Sequence, residues 1–358
     1  MAWQLPAGAD TLYMPRYAAG FELYGLGKSA LMRVKDPWQG ARDVEKWVFL
    51  ARDGERAPEG FDGTVVAAPV TRAVCMSSSH VAFLDALGAV DAVCGVSGGR
   101  FITNPAVRGG LERGTVRDVG TDQSVNFELV AALKPDVLLT YGLAGESSVA
   151  TDKMREMAAP VVYVGEYVED HPLGKAEWVV ALGEMLGRRA EAVALFDSVA
   201  REYDRVSGLA RGVEARPGVM LNSPWRDTWF VPGDRSYMVR LIEDAGGAYV
   251  CRGEDTEQSR PIGIEAAFVA MGKADVWLGP GAATTLGELL AENPRFRDVP
   301  PVRAGRVYNN NLRRTPEGGS DFWESGTVYP NVVLKDMIRI LHPELLPDHE
   351  LYYFRKLE

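Results

Sequence analysis

The chain has 358 residues, 46% of them hydrophobic, which is enough to build the cores of roughly two domains. Its 39 basic and 49 acidic side chains give a formal net charge of −10. This balance argues against nucleic acid as a partner, because phosphate binding needs clustered lysine and arginine. The three cysteines, Cys75, Cys94 and Cys251, lie in apolar runs, and their odd number argues against a disulfide framework. We expect buried thiols there.

Membrane and export signals are also absent from the sequence pattern. No run of 18 apolar residues occurs, so no membrane-spanning helix is predicted. No signal peptide follows Met1, and the closing Leu357-Glu358 resembles a cloning remnant. We therefore expect that an export signal has been removed, and lipid anchoring stays open.

Residues 1–60 form the first predicted region, a β-rich extension. The runs FELYGLGKSALMRV and EKWVFLARD favour short strands separated by Gly, Pro and Asp. GLGKS at 25–29 resembles the end of a phosphate-binding loop, but the first glycine of that motif would fall on Glu22. We interpret GLGKS as a hairpin turn, in a hairpin or small meander that packs on a larger body.

Residues 61–171 form a predicted α/β lobe. The run HVAFLDALG predicts a short helix that ends at Gly88, and AVDAVCGVS predicts the strand after it. VNFELVAALKPDVLLTYG predicts a helix and then a nearly continuous apolar strand. Such strands are buried on both faces, as in parallel sheets.

Residues 172–212 are predicted as a long linking helix. Within 174–209 apolar residues recur at three- and four-residue steps, with Gly183 and Gly187 as candidate breaks. The α/β pattern of the first lobe is repeated over 213–358, where IGIEAAFVAMGKADVWLGPG is similar to VNFELVAALKPDVLLTYG. The predicted fold is therefore α/β, with two Rossmann-like lobes built on central parallel sheets and joined by a long interdomain helix, plus the N-terminal β-rich extension.

The segment NSPWRDTW at 222–229 raises the question of a ligand site. It follows the first predicted strand of the second lobe, and open α/β sheets bind ligands at the carboxyl ends of their strands. We expect the two lobes to share a cleft there. A rigid aromatic wall beside a cation suits a bulky anionic or polar ligand.

Three sequence patterns resemble a known family. DALGAVDAVCGVS, VGTDQSVNFELVAALKPDVLLT and the long helix together are similar to the class III substrate-binding proteins of ABC importers, over about residues 64–345. The resemblance implies two Rossmann-like lobes bridged by a helix. It also implies a ferric siderophore, cobalamin or haem as the ligand. Residues 1–60 lie outside this pattern.

The resemblance places the ligand loops after the strands, at 97–104, 121–124, 141–145, 222–234, 279–284 and 309–322. The large side chains there, or directly after, are the ligand-binding candidates: Arg100, Phe101, Tyr141, Trp225, Arg226, Trp229, Arg313, Arg314 and Trp323. Arginines can fork onto carboxylate or hydroxamate oxygens, and aromatic rings can face a chelate or corrin. The alternatives stay open that Trp323 anchors the final helix and that Arg313 and Arg314 are solvated.

The sequence departs from the family at the permease-docking positions. The family carries a surface glutamate on the first helix of each lobe, where this chain has Ala82 and Arg240. Asp85 and Glu243 lie three residues later, on what we expect to be the same helix face. The hypothesis is that they dock the permease, and the alternative is that they are ordinary solvated charges.

The sequence supports an enzymatic function or a metal site less well than it supports a binding protein. GVSGG at 95–99 matches a nucleophile elbow, but Pro105 and nearby glycines argue against the helix that should follow. The four histidines are scattered, so no directly bound metal or cofactor is expected. Tyr141 is the candidate ligand if the iron is that of haem.

The sequence thus predicts a monomeric, non-enzymatic, periplasmic or otherwise extracytoplasmic protein. It would capture a ferric siderophore and deliver it to the permease subunits of an ABC importer. The alternatives are a cobalamin- or haem-binding protein of the same fold, or a scavenging or structural lipoprotein that works without a permease.

Overall fold

The computed structural model describes residues 3–121, 124–142, 159–253 and 255–358. The chain divides into two compact units. Unit 1 comprises the chain up to residue 169 together with 173–198 and 323–328, and unit 2 comprises 170–172, 199–322 and 329–358. The expected boundaries lay at 60, 171 and 212. In the structure, residues 1–60 belong to unit 1 together with the first α/β sheet, and the later segment 323–328 also belongs to unit 1.

Unit 1 begins with a five-stranded sheet in the order β1-β2-β3-β4-β5. Its strands are β1 (Asp10–Tyr13), β2 (Phe21–Leu26), β3 (Ser29–Lys35), β4 (Glu45–Ala51) and β5 (Thr64–Ala67). The first four pair antiparallel, and β5 pairs parallel to β4. GLGKS is the hairpin turn between β2 and β3, and Gly27 has φ +62° there, as the interpretation required.

A parallel sheet forms the α/β part of unit 1, in the order β10-β9-β6-β7-β8. Its strands are β6 (Ala73–Cys75), β7 (Val93–Val96), β8 (Arg117–Asp118), β9 (Val137–Thr140) and β10 (Val161–Tyr163). Its helices are Ser78–Ala86, Pro105–Arg113, Phe127–Leu133 and Ser325–Val328. The buried central strands match the apolar runs that predicted a parallel sheet.

The helix Pro105–Arg113 corrects one sequence argument. Proline and glycine were expected to prevent a helix after GVSGG. Instead Pro105 occupies the first turn, where a missing N–H costs no helical hydrogen bond, and the Asn104 side chain caps the helix by accepting from the backbone N–H of Ala106 and Val107. The helix starts eight residues after Ser97, so the strand-to-helix turn of a nucleophile elbow is not formed.

The predicted long helix consists of two helices, Pro172–Met185 and Arg189–Ala210. Gly187 separates them in the left-handed conformation, with φ +69°, as one of the two candidate breaks. The unit boundary falls inside the second helix, between Ser198 and Val199.

Buried carboxylates on and just before the first of these helices hold the N-terminal sheet. Glu177 is fully buried, and its oxygens accept from the Tyr13 hydroxyl at 2.7 Å and from the backbone N–H groups of Arg16, Tyr17 and Ala18 at 2.7–2.9 Å. Glu169 likewise accepts from the N–H groups of residues 19 and 20. The extension is therefore an integral part of unit 1.

Unit 2 contains a second five-stranded sheet, in the order β14-β11-β16-β17-β18, and a three-stranded sheet, β12-β13-β15. The strands are β11 (Gly218–Leu221), β12 (Pro224–Trp225), β13 (Thr228–Val231), β14 (Ala248–Tyr249), β15 (Arg260–Gly263), β16 (Val276–Leu278), β17 (Val307–Asn309) and β18 (Arg355–Lys356). The helices are Tyr237–Asp244, Ile264–Met271, Leu286–Glu292, Pro300–Arg303 and Pro330–Leu341. Only β18 runs antiparallel within the larger of these two sheets.

Within the described ranges, no helix is both long enough and apolar enough to cross a membrane. The predicted fold class is confirmed. Each unit has an α/β sheet with parallel central strands, and a β-rich region precedes the first of them.

Candidate functional site

In unit 1, the turn after β7 carries Arg100 and Phe101. Gly98 adopts φ +59°, and the Gly99 N–H donates to a carboxylate oxygen of Asp118 at 2.8 Å, so the chain turns sharply at the carboxyl end of the strand. Both following side chains are exposed. The guanidinium of Arg100 lies 4.6 Å from the centre of the Phe101 ring, a cation–π arrangement. The turn thus presents a cation stacked on an aromatic face.

Tyr141 directly follows β9 and is partly buried. Its ring packs against the apolar core of the parallel sheet and lies 5.8 Å from the ring of Tyr167 and 6.5 Å from that of His80. The predicted ligand loop continues to 145, but residues 143–145 lie outside the described residues, as do 122 and 123 of the loop at 121–124. Tyr141 itself is therefore placed at a strand end with its ring held between other rings.

Trp323 is the first residue of the segment 323–328 that returns to unit 1, and it is 52% exposed. The next residue, Glu324, is almost fully buried and accepts from the backbone N–H groups of Thr103 and Asn104 at 2.7 and 2.8 Å. This carboxylate ties the Trp323 segment to the chain that follows Arg100 and Phe101. In this segment the buried residue is Glu324, whereas Trp323 keeps half of its side chain exposed, and the alternative that Trp323 anchors the final helix stays open.

In unit 2, NSPWRDTW forms a tight hairpin. Strands β12 and β13 pair Trp225 with Thr228, and Arg226 and Asp227 make the turn. Arg226 has φ +57°, a left-handed conformation that side chains other than Gly, Asn and Asp seldom adopt, and such backbone costs are concentrated at functional sites. Trp225 is 69% exposed, and the Arg226 guanidinium lies 5.9 Å from the centre of its ring.

Trp229 requires a correction. It was expected to contact ligand, but its side chain is 0% exposed. Its indole N–H donates to the Leu221 carbonyl at 2.8 Å, and its ring packs against Trp277 and Phe296. Successive residues of a strand point to opposite faces, so Trp229 belongs to the core of unit 2.

Phe230 is a candidate that the sequence reasoning missed. It is 46% exposed and shares a sheet face with Thr228, the cross-strand partner of Trp225, while Trp229 points the other way. Pro261 on β15 pairs with Phe230 and is also exposed. The period-two pattern of TWFV was the available signal. We call the outer face formed by Trp225, Thr228, Phe230 and Pro261 the aromatic face.

Arg313 and Arg314 follow β17, and both are exposed. Arg313 donates from Nε to a carboxylate oxygen of Asp321 at 2.7 Å, and its guanidinium lies 4.4 Å from the centre of the Tyr352 ring. The bond to Asp321 raises the pKa of Arg313. Arg314 makes a backbone bridge to Ser320. Arg313 is therefore held in place rather than simply solvated.

The docking candidates differ in their surroundings. Asp85 is exposed near the end of helix Ser78–Ala86, whereas Ala82, three residues earlier, is buried. Of these two positions in unit 1, only Asp85 is accessible to a partner protein. In unit 2, Glu243 forms an ion pair with Arg252, and Arg240 is exposed.

Thiols and histidines make no metal centre within the described part of the chain, where no group of three His, Cys, Asp or Glu residues could hold an ion. The three cysteines are buried and free, as expected, and burial raises the pKa of Cys251 to about 11. Burial also lowers the pKa of His171.

Comparison with known proteins identifies the family. Residues 74–310 match the periplasmic binding protein family, which is more than half of the chain. An uncharacterized lipoprotein of Methanocaldococcus jannaschii is 26% identical over 302 residues, covering 82% of this chain and 70% of the relative. The high-affinity haem uptake protein IsdE of Staphylococcus aureus is 24% identical over 143 residues, covering 40% of this chain and 47% of IsdE.

Solved structures show the same fold. A periplasmic binding protein from Veillonella parvula superposes with a TM-score of 0.63 at 15% identity, covering 88% of this chain and 99% of the other. The molybdate-binding protein MolA of Haemophilus influenzae gives 0.63 at 16%, covering 80% and 91%. A periplasmic haem-binding protein of Pseudomonas aeruginosa gives 0.59 at 20%, covering 77% and 94%. With its α/β sheets and its matched residues 74–310, this chain belongs to the periplasmic binding protein family.

Proposed function

We propose that this chain is the extracytoplasmic solute-binding component of an ABC importer and that its solute is a ferric siderophore. The observation that carries the proposal is that each unit presents an exposed aromatic–arginine pair after a parallel strand: Arg100 with Phe101, and Arg226 with Trp225. Ligands of open α/β sheets bind at these strand ends. The pairs suit an anionic chelate with flat or apolar groups, because arginine forks onto oxygen anions and the ring covers the apolar part.

Haem is the second candidate ligand. Tyr141 supports it, because a tyrosine oxygen can ligate haem iron and this tyrosine follows β9 at a strand end. The named functions of IsdE and of the Pseudomonas aeruginosa neighbour favour the same ligand. Binding of haem would depend on Tyr141 more than on the arginines, whereas binding of a ferric siderophore would depend on the arginines. Substitutions at these positions therefore distinguish the two ligands.

Delivery to a permease is proposed to use Asp85 and Glu243. Asp85 fits best, because it is an exposed carboxylate. Glu243 would have to exchange its ion pair with Arg252 for an arginine of the permease. Charge reversal at Asp85 should reduce transport of the bound solute without altering its affinity. Transport that stays unchanged would contradict a docking role.

The proposal is tested by calorimetric titration of the full chain with ferric catecholate, ferric hydroxamate, ferric citrate, haem and cobalamin. A ferric siderophore should saturate with a Kd between about 1 μM and 1 nM, the range of capture with release. Arg226→Gln should raise that Kd about tenfold, the effect of losing ~1.4 kcal/mol of binding free energy.

The matched control is Arg205→Gln, which removes an exposed arginine whose guanidinium donates two hydrogen bonds to Glu202 of the same unit. Its Kd should equal that of the wild type. Saturation by haem alone, lost in Tyr141→Phe, would replace the siderophore by the second candidate. No saturation by any of the five would contradict both.

A further inference from the structure

The N-terminal extension reaches the carboxyl end of the parallel sheet of unit 1. The segment between β3 and β4 carries Trp38, which forms a parallel bridge with Gly142, the residue after Tyr141. The Trp38 side chain is buried, and its ring meets Tyr163, the last residue of β10, edge-on at 5.5 Å. A residue outside the family-matched region thus packs against the ends of β9 and β10.

Tyr167 links the same segment to Tyr141. Its hydroxyl accepts from the Gln39 backbone N–H at 3.2 Å and donates to the Gly142 carbonyl. A phenol can do both at once, and burial raises the pKa of Tyr167, which keeps the donating proton in place. Its ring lies 5.8 Å from that of Tyr141, at an interplanar angle of 75°. Tyr167 therefore touches both the extension and the residue pair after β9.

Gly142 and Trp38 fit each other closely. A Cβ atom at position 142 would lie 2.6 Å from Cβ of Trp38, a separation that real Cβ atoms do not show. Only glycine lets the backbone after Tyr141 approach the tryptophan. The backbone directly after Tyr141 therefore lies against the extension.

We propose that Trp38 of the extension, together with Tyr167, positions Tyr141 and so sets which solute unit 1 accepts. This assigns the extension a part in specificity in addition to its packing role. The inference rests on the proposed function, and within it on Tyr141 as a ligand-binding candidate at the end of β9. Trp38 and Tyr167 are positioning residues, because they act through Tyr141 and Gly142 rather than on the solute itself.

Two variants of the full chain test the inference. Trp38→Leu removes the ring that packs on Gly142 and Tyr163, and Tyr167→Phe removes only the hydroxyl while keeping the ring beside Tyr141. Trp3→Leu is the control for the first, since Trp3 belongs to the extension but packs on Trp47 and Phe61. Tyr24→Phe is the control for the second, since its hydroxyl donates to Glu22 in the N-terminal sheet.

Two readouts are needed. Calorimetry with the five-ligand panel should show the Kd of the preferred ligand raised about tenfold in Trp38→Leu and about threefold in Tyr167→Phe, with a changed order of preference. The controls should keep wild-type values. In chains labelled with 3-fluorotyrosine, the ¹⁹F resonance of Tyr141, assigned from Tyr141→Phe, should shift in both variants and stay in place in both controls.

The two readouts separate the possible failures. An unmoved Tyr141 resonance in Trp38→Leu and Tyr167→Phe overturns the positioning role, whatever the wild type binds. A moved resonance with unchanged Kd and order of preference overturns the role in specificity. If the wild type binds no ligand of the panel, the proposed function fails, and the fluorine shifts alone then decide whether Trp38 positions Tyr141.

Discussion

The two small β-structures of this protein serve different purposes. The N-terminal sheet of unit 1 is tied down by buried carboxylates, with Glu177 alone accepting four hydrogen bonds from residues 13–18. The three-stranded sheet of unit 2 buries one face through Trp229 and leaves Trp225 and Phe230 exposed on the other. Buried polar groups with full hydrogen bonding fix a structure, whereas exposed aromatic faces are available for a ligand. We therefore assign stability to the first sheet, and we propose that the aromatic face of the second takes part in recognition.

The largest expected effect is at the buried face of the second sheet. Trp229→Ala should lower the free energy of unfolding by about 3–5 kcal/mol, because it empties a core site and removes the bond to Leu221. Chemical denaturation measures this. Trp225→Ala on the same hairpin is the matched control and should change the unfolding free energy by no more than about 0.5 kcal/mol. Equal losses in the two variants would remove the distinction between the faces.

The next effect concerns the anchor of the N-terminal sheet. Glu177→Ala should cost about 3 kcal/mol of unfolding free energy, because the Tyr13 hydroxyl and the backbone N–H groups of Arg16, Tyr17 and Ala18 lose their acceptor. It should also admit protease between β1 and β2. Glu191→Ala removes an exposed glutamate nearby in the chain and should change neither property. A fully resistant Glu177→Ala would show that apolar packing alone holds the sheet.

A smaller effect should appear in the pH dependence of stability. Burial raises the pKa of Glu169 above its ordinary 4.5, so between 4.5 and the raised value the folded chain binds more protons than the unfolded one. The contribution of this group is fully present below 4.5 and is lost as the pH rises through the raised pKa. Denaturation across this range should show wild type losing stability relative to Glu169→Gln as the pH rises. Parallel curves for the two proteins would rule out this contribution.

Much of the fold could be predicted from the sequence. Buried parallel strands such as β9 are continuous apolar runs, and Gly187 was one of two candidate breaks in the long helix. The site could be predicted only in part. NSPWRDTW indicated a loop at the end of a strand, but which tryptophan faces outward depends on where the turn of the hairpin falls, and a shift of one residue exchanges the faces.

The anchoring carboxylates were beyond sequence reasoning for a different reason. Glu177 lies in a helix, where glutamate is usually solvated, and nothing local shows that four donors more than 150 residues away will surround it. The same holds for Trp38, whose partner Gly142 is distant in the chain. Such contacts are set by tertiary structure.

The most direct test of the central claim is the affinity of Trp225→Ala for the ligand that wild type prefers in calorimetric titration. The control is Val269→Ala, which shortens another strongly exposed apolar side chain of unit 2. We expect a Kd raised about tenfold in Trp225→Ala, an unchanged Kd in Val269→Ala, and wild-type stability in both. An unchanged Kd in Trp225→Ala would contradict the assignment of the aromatic face to recognition.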